Sequence, residues 1–261
     1  MTSQPSPKLR PISLERKEPA EPKRTSAHGL IGLAMLERYA DGAVSRGEAL
    51  IAVEEPLLIS VNGDEFVAPR TPGDDRHLIL GHLFSLGVIH SAGDVLNIEM
   101  DDGGNQAKVS LAPSRNDGRT DAFPDRFRLT PERIFQIRET FETRQRLYRS
   151  TGSTHAAGLF RADGELLAYG EDVSRHCALD KAVGRALVDD TLGMADVAML
   201  TSRLARELAV KAARAGIPVL CGFSAATSAG MEYARTHGLT LVGRVRPDSF
   251  NVYANGWRME Y

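Results

Sequence analysis

The stretch DVAMLTSRLARELAVKAARAGIPVLCGFSAATSAGMEYARTHGLTLVGRV, residues 196–245, decides the fold. Three short apolar segments alternate in it with two segments of helical length: strands at 196–201, 217–222 and 239–245, and helices at 203–215 and 227–237. Gly216 and Gly238 directly follow the two helices, where glycine commonly ends a helix. Continuous apolar strands that alternate with helices predict parallel βαβ units, buried on both faces of one sheet.

The residues before this stretch extend the same domain. Asp163-Gly164 separates apolar runs at 156–160 and 166–169, which predicts a hairpin, and a helix is expected at 176–190. A single long helix is expected from Pro131 to about Ser150, with Thr130 as its N-cap and Pro131 in its first turn. We therefore expect a layered α/β domain over residues 130–261.

The first half has a different pattern. Strands are expected at 50–53 and 56–61, and the Asn62-Gly63 turn leads to another at 66–67. A helix is expected to begin within 71–75 and to end at Gly87, followed by strands at 95–100 and 107–112. Residues 113–129 form a polar loop. The sequence thus predicts a smaller α+β unit over 28–129, preceded by a disordered, proline-rich arm over 1–27.

Composition excludes several classes of protein. The chain has 34 acidic and 32 basic residues and a formal charge of −2, which argues against a broad nucleic-acid interface. No apolar run approaches the roughly 18 residues that a membrane-spanning helix requires. The N-terminal MTSQPSPKLR lacks the apolar core of a secretory signal. We expect a cytoplasmic protein that binds neither nucleic acid nor membrane.

Polar residues follow the expected strands of the second half, at 170–176, 201–203 and 224–228. Ligands of open α/β sheets bind where strands end and helix N-termini present free N–H groups, and hydroxyl and arginine side chains suit an anion such as phosphate. The alternative for each hydroxyl is a simple helix N-cap. Arg244 and Arg246 lie two residues apart and would share one side of a strand.

Two cysteines, Cys177 and Cys221, are too few for a disulfide framework or a four-thiolate metal site. No metal-ligand motif accompanies the histidines, so we expect no metal bound by the protein. Cys221 ends an apolar run and is expected to be buried. Cys177 would lie in the first turn of a helix beside Arg175 and His176, where the pKa of a thiol is lowered, or else is a small residue packed under the sheet.

These residues resemble a known family, the formate dehydrogenase accessory proteins (FdhD/NarQ). The matching blocks occur in family order and cover about residues 49–258: EEPL at 54–57, VNG at 61–63, RTPGDD at 70–75, TGSTH at 151–155, EDVSRH at 171–176, ALDK at 178–181, KAARAGIP at 211–218 and NVY at 251–253. The resemblance implies a cytidine-deaminase-like α/β fold. It also implies a sulfurtransferase that takes sulfur from a cysteine desulfurase and passes it to the molybdenum cofactor, bis-molybdopterin guanine dinucleotide, for formate dehydrogenase.

The resemblance and the strand ends together give a set of candidate residues for binding this cofactor, or a GDP-like nucleotide. They are Thr154, His155, Arg175, His176, Ser202, Arg203, Ser224, Thr227, Ser228, Arg244, Val245, Arg246, Pro247, Asp248 and Ser249. Formate dehydrogenase and a cysteine desulfurase are the implied partners, and the sequence leaves a homodimer open. The candidate catalytic residue, if sulfur chemistry is retained, is Cys177.

The sequence also departs from the family pattern. The loop that carries the family's persulfide cysteines reads PSRNDGRT at 113–120 and contains no cysteine. A persulfide relay needs a thiolate, which serine or asparagine cannot replace. Four positions also differ where the family has Gly, Asn, Gly and Pro: Ser174, Cys177, Ser202 and Ala226. The alternative function is therefore a non-catalytic paralogue that binds the cofactor or a partner as a chaperone. A nucleoside deaminase is excluded because the zinc ligands are missing.

Overall fold

A computed structural model describes residues 23–24, 29–113, 123 and 126–261. The expected N-terminal arm lies outside these residues except for Lys23–Arg24, and so does most of the loop at 113–120. None of the described helices is long and apolar enough to span a bilayer.

A long hairpin begins the described part of the chain. Strands β2 (Ile31–Ala40) and β3 (Ala43–Ala52) pair over their full length, and the short β1 (Lys23–Arg24) adds to the outer edge of β2. Asp41 and Gly42 both have positive φ, as a two-residue hairpin turn requires. The sequence predicted only residues 50–53 of this hairpin, because both faces of its outer half are exposed and produce no apolar alternation.

The expected α+β elements follow. A four-stranded sheet has the order β5-β4-β7-β6, with β4 at Glu55–Val61, β5 at Asp64–Arg70, β6 at Val95–Met100 and β7 at Gln106–Leu111. Asn62 and Gly63 form the predicted turn with positive φ. Helix α1 (Asp75–Leu86) ends at Gly87 in the left-handed conformation, as predicted.

The expected helix over 131–150 is two helices, α2 (Pro131–Glu142) and α3 (Arg146–Thr151). Thr130 caps α2 as predicted, since its hydroxyl accepts the N–H of Arg133. The prediction of one continuous helix is wrong because the Glu171 carboxylate accepts the N–H groups of Leu147 and Tyr148. In a continuous helix those groups would donate to carbonyls four residues earlier.

The remaining elements form a six-stranded sheet of order β13-β12-β11-β10-β8-β9. Its strands and helices are β8 (His155–Phe160), β9 (Leu166–Asp172), α4 (Arg175–Val188), β10 (Val197–Leu200), α5 (Arg206–Arg214), β11 (Val219–Gly222), α6 (Ser228–His237), β12 (Thr240–Gly243) and β13 (Asn251–Ala254). Strands β10, β11 and β12 are parallel, which confirms the α/β prediction, and the other pairings are antiparallel. The cytidine-deaminase-like description stays a prediction.

Strand β12 is shorter than expected. It ends at Gly243, and Arg244 has a φ of 52° in the left-handed region. The prediction that Arg244 and Arg246 share one side of a strand is therefore wrong, because both lie in the turn that follows β12.

The central strands are buried on both faces. Ala198 and Leu200 belong to a buried cluster that includes α1, α4 and the four-stranded sheet, whereas Val197 and Met199 belong to a second cluster that includes α2. The first cluster draws side chains from both sides of residue 130. The division into units at that residue stays a prediction.

Candidate functional site

The carboxyl ends of the parallel strands lie side by side. Leu200 at the end of β10 pairs with Gly222 at the end of β11, and Cys221 pairs with Val242 near the end of β12. Strand β8 is antiparallel to β10, so that it begins at the same edge with His155. We call this region the strand-end edge; it comprises residues 154–155, 171–176, 201–203, 223–228 and 244–249. Its location matches the rule that ligands bind at strand carboxyl ends.

His155 is held at this edge by Thr201. The imidazole Nδ1 lies 3.2 Å from Thr201 Oγ1, and the same hydroxyl oxygen accepts the backbone N–H of Ala156 at 3.0 Å. Because that oxygen already accepts one hydrogen bond, its own proton is free to be donated to Nδ1. This arrangement suits a neutral ring that carries its proton on Nε2.

Two arginines surround this histidine. Burial lowers the pKa of His155 from its ordinary value of 6.5, and the charges of Arg175 and Arg203 lower that pKa further. Burial and Arg175 also lower the pKa of His176. Neither arginine forms an ion pair within the described residues, and the Nε of Arg175 is buried without a hydrogen-bond partner there. The edge therefore combines unneutralised cations with histidines that resist protonation.

The turn after β12 closes one side of the edge. The N–H of Arg244 donates to the carbonyl of Ser224 at 2.9 Å, and the guanidinium of Arg246 donates to the carbonyl of Phe223 at 2.8 Å. Val245 is buried, and the exposed Pro247, Asp248 and Ser249 complete the turn. Residues 244–249 thus lie against the end of β11, with the Arg244 side chain exposed.

Three predicted hydroxyl residues have different surroundings. Thr227 is an N-cap, since its hydroxyl accepts the N–H of Gly230 at 3.1 Å. Ser228 is exposed in the first turn of α6. Ser202 is buried, and its hydroxyl donates to the carbonyl of Arg203 at 3.3 Å. Thr227 has the capping role that the sequence offered as the alternative to ligand binding.

The two acidic residues of the EDVSRH block, Glu171 and Asp172, bind other parts of the chain. Glu171 accepts the hydroxyl of Thr154 at 3.1 Å in addition to its two contacts with α3, so Thr154 also serves this structural contact. Asp172 is fully buried, and it binds the Lys181 ammonium at 2.7 Å and the N–H of Thr71 at 3.1 Å. These carboxylates fasten α3 and the loop before α1 to the six-stranded sheet.

The structure corrects the expectation for Cys177. The residue lies in the first turn of α4 as predicted, but its side chain is buried and its thiol donates to the carbonyl of Pro69 at 3.3 Å. Burial, with the carboxylate of Asp172 as a second cause, raises the pKa of Cys177 to about 12. The lowered pKa is therefore wrong, and the alternative of a small, packed residue is confirmed. Cys221 is fully buried as predicted, and burial also raises its pKa.

The sequence missed an aromatic component of the edge. Phe223 follows β11 and is half-buried; the guanidinium of Arg138 lies 5.3 Å from its ring centroid, and the ring of Phe141 meets it edge-on. The sequence feature that could have indicated it is the aromatic residue between Gly222 and Ser224, at the point where the apolar strand ends and polar residues begin. The sequence could not predict that Arg138 contacts Phe223, because Arg138 lies on α2, far from β11 along the chain. In the described part of the chain, no group of histidine, cysteine and acidic residues could hold a metal ion.

Comparisons with known proteins agree with this architecture. A sequence model of the FdhD/NarQ family matches residues 52–124 and 112–260. Sulfur carrier protein FdhD of Streptomyces coelicolor is 38% identical over 85% of this chain and 93% of its own length. The protein of the same name from Saccharolobus solfataricus is 36% identical over 86% of this chain and 96% of its own length.

A solved structure is similar over most of the chain. It is the crystal structure of a protein from Desulfotalea psychrophila described as a formate dehydrogenase accessory protein, with a TM-score of 0.77 and 26% identity, covering 88% of this chain and 100% of that one. The fold and the strand-end edge define a mixed α/β protein whose polar site lies where parallel strands end. The matches place it more closely: the chain belongs to the FdhD/NarQ family.

Proposed function

We propose that this protein is an accessory factor for a molybdenum- or tungsten-dependent formate dehydrogenase and that it binds the guanine-dinucleotide form of the molybdenum cofactor. One observation carries the proposal: Arg175 and Arg203 lie near a neutral His155 with no acidic partner in the described residues. Unpaired arginines at strand ends suit the phosphates of a dinucleotide, because the planar guanidinium donates two parallel hydrogen bonds to such an anion.

The residues present fit such a ligand. The Arg175 Nε is buried without a partner, which leaves a donor to be satisfied by a bound anion. Arg244, in the turn after β12, and Ser228, in the first turn of α6, are exposed at the same edge and would contact a second phosphate. Phe223 follows β11 at the same edge and is half-buried, and the part of its ring that Arg138 and Phe141 leave uncovered would stack against a guanine base. The histidines would donate neutral hydrogen bonds, whereas the arginines would supply the charge.

The geometry supports sulfur transfer by this chain less well than it supports cofactor binding. The sequence contains two cysteines, and both are buried with a raised pKa. A persulfide carrier needs an accessible thiolate. We therefore favour the alternative in which this family member binds cofactor, or formate dehydrogenase itself, without loading sulfur from a cysteine desulfurase. We also propose that the protein acts in the reducing cytoplasm.

Calorimetric titration with GDP tests the binding proposal. We expect binding by the full chain, weakened at least about tenfold in Arg175→Gln and in Arg203→Gln, since each removes a charge-assisted phosphate contact. Arg161→Gln is the matched control, because Arg161 is exposed at the far end of the β8–β9 hairpin. Absence of heat up to millimolar GDP would overturn the proposed site.

A second experiment separates cofactor binding from sulfur transfer. The protein is incubated with a cysteine desulfurase and labelled cysteine, and persulfides are mapped by mass spectrometry. We expect no label on Cys177 or Cys221. Label on Cys177 that is lost in Cys177→Ser would establish a sulfur carrier instead. Rescue of formate dehydrogenase activity in a strain lacking its accessory protein, together with rescue by Cys177→Ser, would support a function that does not use this thiol.

A further inference from the structure

Helix α3 and the turn before it carry a concentration of positive charge. Residues 143–162 include four arginines and no acidic residue. The exposed side chains at and just before α3, which we call the α3 basic face, are Arg144, Arg146, Tyr148 and Arg149. None of them belongs to the strand-end edge, so the proposed cofactor site does not account for them.

No carboxylate of the described residues neutralises this face. None of its three arginines forms an ion pair there. The acidic residues nearby are already bound, since Glu142 pairs with Arg138 at 2.9 Å and Glu171 accepts the N–H groups that begin α3. The face therefore presents three positive charges to a group that the described part of the chain does not supply.

The three charges are held close together. The guanidinium of Arg149 donates to the carbonyl of Thr143 at 2.8 Å, which folds its side chain back towards the turn that carries Arg144. Arg146 and Arg149 lie three residues apart on α3, so they are neighbours on one side of the helix. Burial raises the pKa of Tyr169, and Arg149 and Arg144 both act against this rise. Both charges therefore lie within electrostatic reach of one hydroxyl.

The positions of these arginines do not serve the stability of α3. A helix favours cations in its last turn and disfavours them at its start, where free N–H groups already carry positive charge. Arg149 follows this rule, but Arg146 is the first residue of α3 and Arg144 precedes the helix. Like charges on neighbouring positions also repel. A negatively charged partner would remove both costs.

Tyr148 adds an aromatic surface to the face. It is 47% exposed, and tyrosine and arginine are among the residue types that contribute most to binding at protein–protein interfaces. Its backbone is fixed, because its N–H donates to Glu171 on β9 at 2.6 Å. A surface that is already ordered loses little conformational entropy when a partner binds.

We propose that the α3 basic face binds a short acidic segment of a partner protein. The chain's own first residues are not complementary to it, since residues 1–27 contain six basic and three acidic side chains. A long polyanion such as single-stranded nucleic acid fits less well, because the chain has a formal charge of −2 and repels it outside this face. Neighbouring carboxylates with one apolar side chain would match the arginines and Tyr148.

Fluorescence anisotropy tests the proposal with the full chain and a short labelled peptide of glutamates around one leucine. We expect binding that weakens as salt is added. Arg146→Gln combined with Arg149→Gln is expected to raise the dissociation constant at least about tenfold, since two charge-assisted contacts are lost. Arg76→Gln combined with Arg235→Gln is the matched control, because both residues are exposed on other helices and the net charge changes equally.

Two further variants separate the parts of the face. Arg146→Glu combined with Arg149→Glu should lose the glutamate peptide and bind the corresponding lysine peptide, while the thermal unfolding midpoint is retained. The same reversal at Arg76 and Arg235 should not bind the lysine peptide. Tyr148→Ala should weaken binding of the glutamate peptide without changing its salt dependence, because it removes contact area and no charge.

Competition identifies the class of ligand. GDP, which probes the strand-end edge, should not displace the glutamate peptide, so this experiment can fail or succeed independently of the proposed cofactor site. Displacement of the peptide by GDP would assign these arginines to the cofactor. Tighter binding of single-stranded DNA of equal length would indicate a nucleic-acid surface instead. Either result, or equal peptide binding by the wild-type chain and by Arg146→Gln combined with Arg149→Gln, would overturn the proposal.

Discussion

The carboxylate of Glu171, on β9, accepts the backbone N–H of Tyr148, in the first turn of α3, at 2.6 Å. Its other oxygen accepts the N–H of Leu147 at 3.2 Å. The first N–H groups of a helix have no partner within the helix, so this one side chain both caps α3 and fixes it to the six-stranded sheet. A carboxylate on β9 therefore determines where α3 begins.

Glu171→Gln tests this role. The variant keeps one acceptor oxygen but loses the charge, so we expect the free energy of unfolding to fall by about 1–2 kcal/mol. Urea denaturation measures the loss, and amide exchange at Leu147 and Tyr148 should accelerate more than exchange within β9. Glu165→Gln, exposed on the same hairpin, is the control and should change neither quantity. Equal stability of the two variants would contradict a capping role.

The same contact shows why the sequence could not predict the break between α2 and α3. Ile134, Ile137, Phe141 and Tyr148 recur at helical spacing across 131–150, which predicts one helix. The cap, Glu171, lies 23 residues beyond Tyr148 along the chain. By contrast, β10, β11 and β12 could be predicted, because burial on both faces requires continuous apolar residues, and the sequence shows them directly. The outer half of the β2–β3 hairpin is exposed on both faces and left no such pattern.

The crossing of α1 and α4 depends on glycine. A Cβ at Gly184 would overlap the carbonyl oxygen of His77, and one at Gly81 would overlap the carbonyl oxygen of Asp180. Gly184→Ala must push the helices apart, and we expect a loss of about 1–3 kcal/mol or more in the free energy of unfolding. Gly193→Ala is the matched control, since no atom lies within 4 Å of a Cβ built there. Denaturation midpoints compare the two, and comparable midpoints would show that the helices do not cross this closely.

The two thiols should be unreactive in the folded protein. Burial raises the pKa of Cys177 to about 12 and raises that of Cys221, so almost no thiolate is present at pH 8. We expect neither to react with Ellman's reagent within minutes, and both to react once guanidinium unfolds the chain. Val67→Cys, at a position that is 67% exposed, serves as the reactive control. Prompt reaction of one native thiol would refute the burial of that cysteine.

The strand-end edge was predictable to the extent that strand order was predictable. Parallel strands bring their ends together, so the sequence located residues 201–203 and 224–228 at one edge. The position of His155 there depends on the antiparallel pairing of β8 with β10. The sequence could not predict the raised pKa of Cys177, because the thiol is covered by Pro69, which lies on β5 of the four-stranded sheet and is distant along the chain. A helix N-terminus beside Arg175 favours a thiolate, but the desolvation that comes with burial outweighs this effect.

Stability should depend on pH through the histidines at this edge. Burial, Arg175 and Arg203 hold the pKa of His155 below its ordinary value of 6.5, and burial and Arg175 do the same for His176. As the pH falls through 6.5, the unfolded chain takes up protons that the folded chain does not, so the free energy of unfolding decreases. Urea titrations between pH 7.5 and 5 measure this slope. We expect His155→Gln to make it shallower, and a slope that is unchanged in this variant would contradict the assigned pKa shift.

Thr201 should determine which nitrogen of His155 carries the proton. Its hydroxyl oxygen accepts the N–H of Ala156 and lies 3.2 Å from Nδ1, so donation from the hydroxyl to Nδ1 leaves the proton on Nε2. Long-range ¹H–¹⁵N spectra distinguish the two neutral forms of the ring, and we expect the Nε2-protonated form in the wild-type chain at pH 7.5. Thr201→Val removes the donor and keeps the shape, so the Nδ1-protonated form should increase while the fold is retained. Thr191→Val, whose hydroxyl donates to the carbonyl of Ala186, should leave the His155 signals in place. A wild-type ring protonated on Nδ1, or a ring unaffected by Thr201→Val, would show that this hydroxyl does not orient the proton.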